Sequence, residues 1–317
     1  MRAIQYRSYG GPECLELVDL PKPTPKAGEL LLRVHCASVN PVDWKLASGK
    51  TRPVLWVRPP SVPCFDVAGV VEELGAGASG FAKGDRVHAR VNLRAGGGCA
   101  EYAVVPVADV AKMPAQMSFA EAAALPLAGM TSLQALRDTA GMPMTGATGR
   151  VLVVGAAGGA GHLGVQLGKA AGAHVTGVCS GKNVETVRLL GADEVIDYSR
   201  PEAWKEKAPW DIILDCVGQD LDALLGRMTP AGTLACIMPG PAVIGRMLLN
   251  PLKRQKVYAV ALKANGVDLS LLDQLYLDGK LKILVEQRYP MEHLKEAWER
   301  SISGRVVGKL VVDVIGD

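Results

Sequence analysis

The chain has 317 residues, 49% hydrophobic and 21% charged, with a formal net charge of +3. That length exceeds what one core usually supports and predicts two lobes. So small a charge gives no electrostatic case for nucleic acid or for general adsorption to membranes. No apolar run approaches the ~20 residues of a membrane helix, and the N-terminus lacks a basic-then-apolar leader. The seven cysteines (Cys14, Cys36, Cys64, Cys99, Cys179, Cys216, Cys236) are scattered and form no C-x-x-C pair, so free, buried thiols in a cytoplasmic enzyme are expected.

From residue 1 to about 120 the pattern is short strands broken by Gly and Pro: Leu30 to Cys36, Val67 to Leu74, Asp85 to Val91 and Ala100 to Val105. A long loop from Asn40 to Pro63 carries Pro41, Pro53, Pro59 and Pro60 with Trp44 and Trp56, and its length marks it as a functional edge. Ser118 with Glu121 three residues on fits a capping box, opening a helix that runs towards Arg137. Strands at 151–155, 174–179, 194–198, 211–218, 232–238 and 256–262 then alternate with helices, which predicts a parallel sheet covered on both faces. After residue 263 come a helix over Leu269 to Leu277, a strand near Lys282 to Glu286, a helix through His293 to Arg300 and a strand from Gly308 to Val314. These are too few for a third domain, so the expected organisation is 1–122 and 263–317 as one lobe and 123–262 as the other. The five histidines (His35, His88, His162, His174, His293) read as core or surface residues.

The clearest chemical signal is an apolar strand running into Gly155-Ala156-Ala157-Gly158-Gly159-Ala160-Gly161 and then into a helix. A dinucleotide turn needs little side-chain volume, so that the chain bends sharply and its backbone approaches a pyrophosphate at the helix N-terminus. Ala156 stands at the first glycine position. An acid at the end of the second strand would select NADH by binding the ribose hydroxyls. Cys179 stands there instead, followed by Ser180, Lys182 and Asn183, a polar and basic set that accommodates a 2′-phosphate; NADPH is therefore favoured, with NADH left open.

Several motifs together carry a family resemblance: Ala37-Ser38-Val39-Asn40-Pro41-Val42-Asp43-Trp44-Lys45, Asp66-Val67-Ala68-Gly69, Gly84-Asp85-Arg86-Val87, Ala123-Ala124-Leu125-Pro126, the glycine turn, Leu190-Gly191-Ala192-Asp193 and Gly308-Lys309. Over nearly its whole length the chain resembles the quinone oxidoreductase branch of the medium-chain dehydrogenase/reductase superfamily. The resemblance implies an α/β protein, a Rossmann parallel-sheet domain plus a β-rich GroES-like domain, with the site in the cleft between them and a homodimer as the common assembly. Zinc-dependent members use a Cys, a His-Glu pair and a further Cys or Asp. Here Asn40, Phe65, Asp66 and Ala128 fall at or near those places, and a phenyl ring cannot ligate zinc; no metal is expected.

The resemblance further implies NADPH-dependent hydride delivery to a conjugated carbonyl (enone or enal) or a quinone. Asn40, Lys45 and Thr131 are the candidate catalytic residues, Asn40 and Thr131 also touching the cofactor. Tyr198 is implied at the adenosine end, Val217, Gly218, Pro239 and Gly240 along the nicotinamide, and Lys309 near the cofactor; Trp44, Trp56 and Phe65 shape the substrate pocket. Lys45 has a plainer alternative, pairing with Asp43. Two rivals stay open. An enoyl thioester reductase would hold coenzyme A phosphates on Arg246, Lys253, Arg254 and Lys256, and a non-catalytic NADPH-binding protein would keep the glycine turn without turnover.

Overall fold

The computed structural model describes residues 1–52, 55–92, 97–200, 202 and 209–315; Pro53 of the proline-rich loop lies outside the described residues. In chain order the strands are β1 (Arg2–Tyr6), β2 (Leu15–Asp19), β3 (Glu29–Val39), β4 (Asp66–Leu74), β5 (Arg86–Arg90), β6 (Tyr102–Pro106), β7 (Val110–Lys112), β8 (Arg150–Val154), β9 (His174–Cys179), β10 (Glu194–Asp197), β11 (Trp210–Asp215), β12 (Met228–Cys236), β13 (Lys256–Ala259), β14 (Val285–Pro290) and β15 (Lys309–Asp313). The helices are α1 (Pro41–Ala47), α2 (Phe119–Ala124), α3 (Pro126–Gln134), α4 (Gly161–Ala171), α5 (Val184–Leu189), α6 (Leu221–Leu225), α7 (Pro241–Leu248), α8 (Gly266–Leu277) and α9 (Leu294–Ile302). Among the described residues, no helix is long and apolar enough to cross a membrane.

Two compact units divide the chain: Met1–Leu127 with Ala264–Gln274 and Ile283–Asp317, and Ala128–Lys263 with Leu275–Lys282. The divisions differ from the sequence-based ones at two places. A boundary at 122 would cut α2, and residues Leu275–Lys282 join the second unit although the sequence pattern places the whole segment after 263 in the first lobe.

In the first unit the strands run β14-β15-β3-β4-β5-β7, with β6 also on β3. β15 is antiparallel to β3, pairing Leu310 with Val39, and β4 is antiparallel to β3, pairing Asp66 with Ser38. The C-terminal strand is thus stitched beside the first long one, which carries Lys309 to the end of β3. Helix α9 buries Leu294, Ala297 and Trp298, the i, i+3, i+4 stripe of an amphipathic helix; removing a side chain such as Leu294 or Trp298 from water contributes about 1.5–3 kcal/mol.

The expected helix from Ser118 to Arg137 is three pieces. Ser118 caps α2, accepting from Glu121 N at 3.2 Å while its own N–H donates to Glu121 Oε2 at 3.0 Å. Pro126, which has no N–H to give, starts a new helix, and α3 ends in a single π-helical stretch, Ala135–Thr139.

The second unit is a parallel sheet in the order β10-β9-β8-β11-β12-β13. Numbered from β8, this is the 3-2-1-4-5-6 arrangement of a Rossmann fold, whose strand order reverses between β8 and β11. Four of the five residues of β8 are fully buried, as strands covered on both faces require.

Candidate active site

In the second unit every residue implied at the cofactor lies on the carboxyl-terminal edge of the sheet, save Thr131 on α3. Gly155 to Gly161 follow β8; Ser180, Lys182 and Asn183 follow β9; Tyr198 follows β10, Val217 and Gly218 follow β11, and Pro239 and Gly240 follow β12. Ligands of open α/β sheets bind on that edge at the switch point.

The glycine turn has the shape that a pyrophosphate needs. Gly155 takes φ +78°, and a Cβ on Gly161 would stand 2.1 Å from the Gly155 carbonyl oxygen. His162, fully buried, donates from Nδ1 to Gly158 O at 3.0 Å and braces the turn from inside. Ala160 at the N-cap of α4 provides no side-chain acceptor; the His162 N–H is taken by Gly158 O at 2.9 Å, and the positive end of this eleven-residue helix is left to meet an external anion through its other first-turn N–H groups. Ser132 Oγ donates to Ala160 O at 2.8 Å, which seats α3, and with it the buried Thr131, beside the turn. These residues fit a dinucleotide.

Cys179 is buried, and burial followed by the neighbouring Asp197 raises its thiol to about 11. Its side chain is therefore enclosed as a neutral thiol, while Lys182 is exposed and Tyr198 half-exposed. Asp197, register partner of Cys179 on β10, lies against the Gly181 turn and accepts from Ser199 N and Oγ, with the Arg200 guanidinium 3.6 Å away.

Sequence reasoning missed Asp215. Buried at the end of β11, it accepts at 3.0 Å from the N–H groups of Val217, Gly218 and Gln219 and so builds the turn that carries two implied nicotinamide contacts. An acid closing an apolar strand just before a glycine was the available signal.

In the first unit the strand register gathers a buried polar cluster. Asn40, at the end of β3, donates from Nδ2 to Asp66 Oδ2 at 2.8 Å, and Lys309 Nζ donates to Asn40 Oδ1 and, at 3.1 Å, to Val39 O. Lys309 Nζ lies 3.8 Å from Asp66 Oδ2, and Ser38 Oγ also donates to that oxygen at 3.0 Å. Burial raises the Asp66 carboxyl against the opposing pull of Lys309, and burial lowers the Lys309 ammonium against the opposing pull of Asp66. Lys309, implied near the cofactor by resemblance, is only 3% exposed and turned into this cluster.

Asp43 caps α1 by accepting from Asn40 N at 2.6 Å, while its Oδ1 is buried without a hydrogen-bond partner among the described residues. Burial raises its carboxyl to about 8. Because the folded protein then holds a proton that the unfolded chain releases near pH 4, this residue makes stability fall as pH rises from about 4 to about 8. Asp43→Asn, which keeps an acceptor for the cap, is expected to gain melting temperature over the parent progressively across that window and level off above it. A pH-independent difference between the two melting curves would contradict this.

Lys45 lies over the Trp44 ring, 5.4 Å from its centroid, and burial lowers its ammonium. The implied pocket residues have separate surroundings. Trp44 Nε1 donates to Ser301 Oγ at 3.1 Å; Phe65 packs with Leu46 and Val57; and Trp56, 55% exposed, donates to Tyr9 OH at 2.7 Å beneath the Arg52 guanidinium.

The residues at the zinc positions do not fit a zinc ion. Phe65 has no donor atom, and a buried ammonium, that of Lys309, already stands beside both the Asn40 amide oxygen and Asp66, where a zinc ion would meet its charge. The described residues contain no group of three or more His, Cys, Asp or Glu able to hold a metal.

A Rossmann sheet with an open phosphate turn, joined to a β-rich unit with a buried polar cluster, defines a two-domain nicotinamide oxidoreductase. Residues 26–115 match the alcohol dehydrogenase GroES-like domain and residues 190–312 the zinc-binding dehydrogenase family. The chain is 40% identical to the chloroplast envelope quinone oxidoreductase homolog of Arabidopsis thaliana, covering 99% of this chain and 98% of the relative. It is 31% identical to the 2-methylene-furan-3-one reductase of Solanum lycopersicum, covering 99% of this chain and 79% of the relative. The solved quinone oxidoreductase of Coxiella burnetii superposes with a TM-score of 0.88 at 30% identity, covering 99% of both chains. The chain belongs to the quinone oxidoreductase branch of the medium-chain dehydrogenase/reductase superfamily and is an NAD(P)H-dependent oxidoreductase.

Proposed function

We propose that this enzyme is a zinc-independent, NADPH-preferring reductase of α,β-unsaturated carbonyl compounds (enones or enals) or quinones. The observation that carries the reading is the Asn40, Asp66 and Lys309 cluster, which puts a carboxamide and an ammonium where metal-dependent relatives need ligands. Without a Lewis acid to ionise an alcohol, reduction of an activated acceptor is the easier chemistry.

A bound reduced nicotinamide supplies the hydride. The backbone of Gly155, Ala156, Ala157, Gly158, Gly159, Ala160 and Gly161 and the N-terminus of α4 hold the pyrophosphate, and Ser180, Lys182 and Asn183 after the Cys179 strand end take the 2′-phosphate. Tyr198 flanks the adenosine; Val217, Gly218, Pro239 and Gly240 wall the nicotinamide. Asn40 and Thr131 orient it. What an enone or quinone then asks of the protein is alignment and one stabilised oxyanion, the role given to Lys45. Trp44, Trp56 and Phe65 limit the acceptor's shape.

Support for NADPH lies in the exposed Lys182 and in an Asp197 carboxylate already occupied by Ser199 and Arg200. Lys182→Ala is expected to raise KM for NADPH about tenfold, the loss of one charge-assisted contact, and to leave NADH within about twofold. Equal effects on both nucleotides would remove the phosphate-site assignment.

The experiment that tests the whole reading assays a p-quinone, several enones and enals, and an enoyl thioester with both nucleotides, before and after dialysis against a chelator. Turnover of enone or quinone with NADPH that survives dialysis supports it, whereas turnover restored only by added zinc sinks it. Of the four cations that favour a thioester, Arg246 donates to Gln255 O at 2.8 Å and Lys256 to Asn250 O at 2.6 Å, so two serve the local fold. A homodimer in the cytoplasm completes the proposal, and sedimentation of the purified chain measures the first part.

A further inference from the structure

The cluster around Asn40 contains a buried ammonium, that of Lys309, to which the proposed hydride transfer gives no task. Any task for it near the cofactor rests on the assignment of Asn40 as the residue that orients the nicotinamide. A carboxamide has a donor end and an acceptor end that differ little in shape, so packing alone holds its orientation poorly. Here the two ends face opposite charges. Asp66 can only accept and meets Nδ2; Lys309 can only donate and meets Oδ1. Turning the amide over would set its NH2 against an ammonium and its oxygen against a carboxylate.

We propose that Lys309 is the positioning residue of the site: paired with Asp66, it holds the Asn40 carboxamide in one orientation and leaves one N–H and one lone pair for the bound nucleotide.

The cluster is fixed from several elements at once. Lys309 enters from β15, Asn40 and Ser38 from the end of β3 and Asp66 from β4, and Arg90 on β5 is the register partner of Asp66. Asp43 on α1 holds the Asn40 backbone N–H. Asp66 further accepts from Leu127 N at 2.9 Å, so its carboxylate cannot swing to follow the amide. Asn40, Asp66 and Lys309 are 2%, 0% and 3% exposed. A buried ion pair seldom stabilises a fold more than well-packed apolar residues would, because both charges lose their water. Orientation of a third group is what this pair adds that a leucine and a methionine could not.

The test is a double-mutant cycle on the full-length enzyme, using a p-quinone and NADPH as substrates. Lys309→Met keeps the length of the side chain and removes its charge. It is expected to lower kcat about tenfold or more, an effect of misplaced reactants, with the NADPH dissociation constant changed less than about threefold. In an Asn40→Ala background the same substitution is expected to cost nothing further, since Lys309 acts through Asn40. If the two losses multiply, Lys309 does not work through Asn40 and the proposal fails while the assignment of Asn40 stands. If Asn40→Ala itself keeps kcat within about twofold, the assignment of Asn40 fails, and the proposal with it.

Should Lys309→Met leave Asp66 uncompensated and the protein unfolded, Asp66→Asn/Lys309→Met removes both charges. That variant is expected to fold and still show the kcat loss; recovery of kcat together with the melting temperature would make Lys309 purely structural and overturn the inference.

Discussion

Gly161→Ala is expected to abolish binding of NADPH and NADH alike. The added Cβ would lie 2.1 Å from Gly155 O and 2.9 Å from the Ala156 Cα, backbone atoms that cannot step aside as a side chain can. The turn must open or α4 must lift from β8, and either movement withdraws the N–H groups that would meet the pyrophosphate. Titration of nucleotide fluorescence should show affinity lower by at least about a hundredfold, equivalent to roughly 2.7 kcal/mol. Because the turn also joins β8 to α4, the melting temperature should fall as well. Binding kept within about fivefold would mean that the helix can accommodate the contact and that the turn is less constrained than its geometry indicates.

Asp215→Ala should be nearly as damaging by a different route. The carboxylate satisfies three successive N–H groups, those of Val217, Gly218 and Gln219, and it is almost completely buried. Removing it leaves those donors without their acceptor, and because Val217, Gly218 and Gln219 are exposed, water replaces part of what is lost, so a cost of about 1.5–3 kcal/mol is expected. Asp215→Asn is the informative companion. An amide oxygen can keep some of the three bonds, but its NH2 must then oppose an N–H group, so an intermediate loss is expected. Denaturation of both variants, followed by kcat for the p-quinone, separates the two consequences. If Asp215→Ala is as stable as the parent and reduces quinone at the parental rate, the turn after β11 does not depend on this acid.

Much of this protein was legible as a string. Continuous apolar runs alternating with helical segments identified the parallel sheet, because strands buried on both faces have no polar side to show. The glycine turn was recognisable because its chemistry lies in the backbone and its sequence constraint is local. The Ser118 and Glu121 capping box marked a true helix start, although the pattern predicts a helix running through Pro126, and a ring without an N–H divides it instead.

What only the tertiary structure decided is which distant residues meet and which way they face. Asn40 and Lys309 stand 269 positions apart, and nothing near either one says that β15 pairs with β3 and brings an ammonium onto the carboxamide. The burial that raises the Asp43 carboxyl, and that encloses Cys179 at the strand end where a NADH-selecting acid would stand, is likewise a property of the packed sheet. Local pattern determines elements and backbone turns, since those depend on neighbours in the chain. Charge, protonation and side-chain direction depend on the elements packed around a residue, so they are set when the strands find their register.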